Sequence, residues 1–124
     1  MPKDQRILLV DDDPIFLTLA ELAIKKERSD VEIHKAMNGE EAIEFLSEAE
    51  VDAIFLDLNM PVMNGWEFLD EVATQELKES KIFILTSSID PSDRKKAEEN
   101  PLVSSMLEKP LDKTKIEKSL DLAD

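Results

Sequence analysis

The chain has no cysteine and no tyrosine, one tryptophan, one histidine, and basic residues in short supply: 15 against 29 acidic ones. Without cysteine there are no disulfides and no thiolate metal sites. With so few aromatic rings, most of the stacking surface that single-stranded nucleic acid needs is missing. A formal charge of −14 repels phosphate backbones and anionic lipid headgroups, and it concentrates cations instead. No run approaches the ~18 apolar residues of a membrane span. The start, MPKDQRILLV, lacks the apolar core and small-residue cleavage site of a signal peptide. These absences lead us to expect a cytoplasmic protein that binds neither nucleic acid nor membrane. With 124 residues and no repeats, the length suits one domain over 1–124, with no output domain following it.

What is present is alternation. Ile7–Val10, Ala53–Leu56 and Ile82–Leu85 are short continuous apolar runs, as in parallel strands covered on both faces. Residues 31–36 alternate like an edge strand, and 104–108 are a weaker fifth. Between them stand helix starts: Asp13-Pro14, Asn38 with Glu41, Asn64 with Glu67, Asp90-Pro91 and Asp112. Ile116 and Leu120 would face inward from the last helix. The fold class is α/β, a (βα)₅ doubly wound parallel sheet.

The stretch RILLVDDDP runs a buried strand into three adjacent carboxylates. Two charges ~4 Å apart repel by about 4 kcal/mol at an effective dielectric of ~20. Asp13 has a plain task as the cap of helix one, which leaves Asp11 and Asp12. Ligands of open parallel sheets bind beyond the carboxyl ends of the strands. The polar residues at those ends are Asp11, Asp12, Asp57, Thr86, Ser87 and Lys109. Singly, each reads first as a turn former, a cap or a solvated charge. Together they suit a hard divalent cation and a phosphoryl group. Mg²⁺ takes one or two carboxylates plus phosphate oxygens. Asp11 and Asp12 would hold it, with the Asn59 backbone carbonyl as a further ligand. Asp57 would be the nucleophile, also facing the metal, with Lys109 and the Thr86 hydroxyl on the phosphoryl oxygens.

LLVDDDP, FLDLNMPVMNG, ILTSS and EKP stand in the order and spacing of the receiver domain of two-component response regulators, which the chain resembles from about residue 5 to 122. The resemblance implies a flavodoxin-like fold with strand order 2-1-3-4-5. It implies that Asp57 is the phosphoacceptor and that Asp11 and Asp12 are the metal-binding pair, with Asp12 the direct ligand. Thr86 then matches the switch hydroxyl, Lys109 the phosphate-binding lysine, and Lys109-Pro110 a cis peptide. It further implies a histidine kinase or histidine phosphotransfer protein as donor, a protein partner for output, and a signalling domain that promotes its own phosphorylation and dephosphorylation. Two positions depart from the pattern. Met106 replaces the usual switch aromatic, and Ser87 replaces a smaller residue after the threonine. A phosphohydrolase would want an acid where Asn59 stands, and a degenerate receiver would not keep the whole set.

Other features leave two readings open. Helix one offers Phe16, Leu19, Ala20 and Ala23 as its core stripe. Ile15, Thr18 and Leu22 are either a docking edge, as in the family, or part of a wide buried stripe. Helix four has one clear inward residue, Ala97, with Ile89 ahead of it, so it is either a switch element or a modestly stable charged helix. Trp66, Phe68 and Phe45 read as packing, and His34 as an ordinary side chain of the edge strand.

Overall fold

The structure, a computed structural model, describes residues 5–75, 80–87 and 89–123. Ser88 of the ILTSS motif lies outside them. Five strands, β1 (Arg6–Val10), β2 (Glu32–Ala36), β3 (Ala53–Asp57), β4 (Lys81–Thr86) and β5 (Val103–Glu108), alternate with five helices. The helices are α1 (Pro14–Glu27), α2 (Gly39–Glu48), α3 (Gly65–Thr74), α4 (Pro91–Glu99) and α5 (Lys113–Ala123). Every strand pair is parallel and the sheet order is β2-β1-β3-β4-β5, the flavodoxin-like topology the sequence resemblance implied. Among the described residues, no helix is long and apolar enough to cross a membrane.

The continuous apolar runs follow from this sandwich. Successive side chains alternate between faces, and both faces are covered. Leu8, Val10, Ile54, Leu56, Ile82 and Ile84 point into a core closed by Ala42, Phe68, Leu69 and Ala97 of α2, α3 and α4. Ile7, Leu9, Ala53, Phe55, Phe83 and Leu85 point to the other side, against Leu17, Ala20 and Ile24 of α1 and Ile116 and Leu120 of α5. Phe55 and Phe83 stack there with centroids 5.4 Å apart. Phe68 is fully buried, while Trp66 and Phe45 pack half-buried on the α2–α4 side. His34 packs tilted against the Phe45 ring, centroids 4.7 Å apart, and meets Glu32 at 2.6 Å, in ordinary edge-strand surroundings.

The helix starts are where the sequence puts them. The Asp13 carboxylate accepts from the Ile15 N–H at 2.9 Å, with Pro14 as first helical residue. Asn64 and Glu67 close a full capping box. At α2 the box is displaced: Asn38 accepts from the Glu41 N–H, but the Glu41 carboxylate reaches the Met37 N–H instead. Asp90 caps α4 through Ser92, and Asp112 accepts from the Lys115 N–H.

The stripe expected on helix one is corrected. The buried residues are Leu17, Ala20 and Ile24, with Phe16 and Ala23 only half-buried on their flank. Leu19 is 59% exposed, and so are Ile15 at 70% and Leu22 at 63%, which overturns the wide buried stripe. Residues 15–17, 19, 20 and 22–24 are all apolar, so periodicity selects no face. The contact with the sheet and α5 does. Helix α4 buries Ala97 alone, as expected, and Lys96 lies over the Trp66 ring at 4.4 Å.

Candidate functional site

Parallel register aligns the carboxyl ends of the strands, so residues far apart in sequence meet at one edge. Asp11 directly follows β1, its N–H bonding the Ala36 carbonyl at 3.0 Å. Asp57 ends β3, Thr86 ends β4 and Lys109 follows β5. Oxygens of Asp11, Asp12 and Asp57 all lie within 4.8 Å of one another. Asp11 is 2% exposed and Asp57 7%, whereas Asp12 faces solvent.

The buried acids are not left uncompensated. One Asp11 oxygen accepts from the Asp13 N–H at 2.9 Å and the other from Lys109 Nζ at 2.6 Å. Lys109 Nζ is also 3.9 Å from an Asp57 oxygen. The lysine is placed by its own backbone, whose N–H donates to the Thr86 carbonyl at 2.7 Å ahead of a cis Lys109–Pro110 bond. One ammonium against three carboxylates leaves an excess of two negative charges. Burial, and then the charge of Asp11, push the Asp57 carboxyl up from 3.8 to about 6. Lys109 and a hydrogen bond from the Asn59 backbone pull the other way, and Asp12 adds a smaller upward push.

The structure thus brings Asp11, Asp12, Asp57 and Lys109 together. Thr86, 4% exposed, stands at the same edge. Asn59 reaches Asp57 through its backbone hydrogen bond, and its side chain is exposed. Ser87 is exposed beside Thr86, and Met106 packs half-buried on the α2–α4 core. An all-oxygen, doubly negative cluster of this size can hold a divalent cation.

Three features of the site escaped the sequence. Gly65, the first residue of α3, donates its N–H to the Leu58 carbonyl at 3.0 Å. A Cβ there would lie 2.7 Å from the Asp57 carbonyl oxygen, so this glycine is required by close approach. Phe16 places its ring 4.1 Å from Lys109 Nζ. Val62 has φ 67° and closes a γ-turn in which the Met63 N–H donates to the Pro61 carbonyl at 2.7 Å. A β-branched residue is strained there. At 73% exposed, Val62 has little packing to lose. Val62→Asn is therefore expected to raise stability by roughly 1 kcal/mol. Urea unfolding checks this, and an unchanged midpoint would mean that the turn carries no strain.

The chain has clear relatives. A family model, that of the response regulator receiver domain, matches residues 7–121. A two-component response regulator from Cytophaga hutchinsonii has the same fold with a TM-score of 0.91 and 31% identity, over 98% of each chain. The chemotaxis response regulator CheY4 of Vibrio cholerae superposes with a TM-score of 0.83 and 27% identity, over 98% of this chain and 100% of its own. The nitrate/nitrite response regulator protein NarL of Escherichia coli is 41% identical over 71 residues, 57% of this chain. That match spans only 33% of NarL, so the likeness to this longer protein is confined to about a third of it. A match over nearly the whole sequence and an equally complete overlap with a response regulator of known structure agree: the chain belongs to the response regulator receiver domains of two-component systems.

Proposed function

We propose that this receiver accepts a phosphoryl group on the Asp57 carboxylate from the phosphohistidine of a histidine kinase or histidine phosphotransfer protein, in a Mg²⁺-dependent reaction. The observation that carries this reading is a buried carboxylate at a strand end with two further carboxylates around it and a lysine ammonium 3.9 Å away. Asp11, Asp12 and Asp57, with the Asn59 backbone carbonyl, would hold the metal. Their hard oxygens and excess of two negative charges fit it. When bound, Mg²⁺ supplies positive charge against the phosphoryl oxygens.

The protein's own groups do the rest. An Asp57 oxygen attacks phosphorus, a new P–O bond forms, and the P–N bond to the donor imidazole breaks with its electron pair leaving on nitrogen. The product is an acyl phosphate. Lys109 and the Thr86 hydroxyl bind the transferred oxygens and place them for later attack by water. The exposed Ile15, Leu19 and Leu22 lie on α1, the helix that Asp13 caps, and offer the donor an apolar docking face. Output to a protein partner follows from Thr86 turning toward the phosphoryl group, with α4, held by Ala97 alone, the element most easily re-ordered. Met106 adapts to the space without transmitting a fixed shape. The setting for this exchange is the cytoplasm.

Incubation with acetyl phosphate and Mg²⁺ is expected to add one phosphoryl group, labile to hydroxylamine, that maps to the peptide containing Asp57. Mass spectrometry finding no adduct, or an adduct on another peptide, overturns the assignment.

A further inference from the structure

We propose that Phe16 is a positioning residue for Lys109: its ring keeps the ammonium at the acid cluster, within reach of Asp57, while the carboxylates are engaged elsewhere. The proposal rests on the reading of Lys109 as a phosphoryl-binding group. Lysine carries a point charge on a flexible four-carbon stem, so something must fix where that charge sits. Among the described residues, Lys109 Nζ lies 2.6 Å from Asp11, 3.9 Å from Asp57 and 4.1 Å from the centre of the Phe16 ring.

Two of these anchors are unreliable during function. Asp11 and Asp57 belong to the cluster that can take up a cation, and Asp57 changes chemically when phosphorylated. The ring is neither a ligand nor a nucleophile, so its hold on the ammonium does not compete with either event. It is also a fixed plate. Phe16 stands in the first turn of α1, behind the Asp13 cap and Pro14, and packs against the core shared with α5. The lysine side chain is only 19% exposed, and cation–π attraction is strongest where the cation is shielded from water. Leucine would fill the volume without the negative ring face. Tyrosine would keep that face.

Phe16→Leu, Phe16→Tyr, Lys109→Ala and the double variant Phe16→Leu/Lys109→Ala decide the matter, with circular dichroism to establish folding. In metal-free protein, the NMR signals of the Lys109 ε-methylene are expected upfield from the ring current in wild type and Phe16→Tyr, and at the ordinary position in Phe16→Leu. Phosphorylation by acetyl phosphate should be about 3- to 30-fold slower in Phe16→Leu and near the wild-type rate in Phe16→Tyr. In the Lys109→Ala background, Phe16→Leu should add nothing, because the interaction it removes is already gone. If Phe16→Leu is phosphorylated at the wild-type rate while Lys109→Ala is slow, the ring does not position the lysine. If Phe16→Leu slows the reaction equally with and without Lys109, its role is packing and the proposal falls. Lys109→Ala at the wild-type rate would instead refute the reading of the lysine itself.

Discussion

Asp57→Asn is expected to abolish phosphoryl labelling and, in the absence of metal, to make the protein more stable at neutral pH. The first effect follows because the amide offers no carboxylate nucleophile. The second follows from the cost of ionising a buried acid beside Asp11, which lifts the Asp57 carboxyl from 3.8 to about 6. The folded state therefore holds this proton more tightly than the unfolded chain. As pH rises from about 4 through about 6, the unfolded state gives up its proton first, and wild type loses stability. The shift corresponds to a loss on the order of 2–3 kcal/mol, complete above pH 6.

Asparagine mimics the neutral acid and can still accept the Asn59 N–H, so the variant escapes that loss. In chelator at pH 7.5, urea unfolding should show Asp57→Asn more stable than wild type by on the order of 2–3 kcal/mol, with the gap closing toward pH 4. Mg²⁺ should narrow or close that gap by stabilising wild type, by about 2.7 kcal/mol at ~100 times its dissociation constant. Parallel stability curves for the two proteins from pH 4 to 7.5 would show that Asp57 bears no such strain.

Gly65→Ala should cost about 2 kcal/mol and slow labelling of Asp57. Helix propensity alone favours alanine over glycine, by up to ~1 kcal/mol. Space decides the sign. The new Cβ would meet the Asp57 carbonyl oxygen at 2.7 Å and the Leu58 Cα at 2.9 Å, and both belong to backbone that cannot swing aside. No glycine has positive φ, so the penalty comes from this contact and not from the backbone angle. Relief requires α3 to retreat or the end of β3 to move, and the second displaces Asp57. A lower urea midpoint together with a slower labelling rate is the expected pair of results. A wild-type midpoint would show that the loop yields at no cost.

Much of the molecule was legible in the sequence because the relevant physics is short-ranged. A run such as Ile82–Leu85 must be covered on both faces, and an Asp-Pro pair caps and starts a helix whatever lies around it. Three acids at a strand end are costly unless something answers their charge, which pointed to Asp11 and Asp12 before any geometry was known. The departures at Met106 and Ser87 were equally visible, being single residues set against a spaced pattern.

Other features depended on partners distant in the chain. Helix α1 is apolar nearly all round, so its sequence could not choose Leu17, Ala20 and Ile24 over Phe16, Leu19 and Ala23. Docking against the sheet and α5 made that choice. Nothing about valine announces a left-handed turn at Val62, which the surrounding loop imposes through the Met63–Pro61 bond and the tie from the Gly39 N–H to the Met63 carbonyl. The ring of Phe16 became part of the site only when β5 delivered Lys109 above it. The sequence by itself determined which segments are strands, where the helices begin and which charges collect at one edge, since local pattern and backbone chemistry suffice for these. Only the tertiary structure decided which side of a helix is buried, which glycine admits no side chain and which ring faces the lysine, because those depend on contacts between elements that the chain brings together only when it folds.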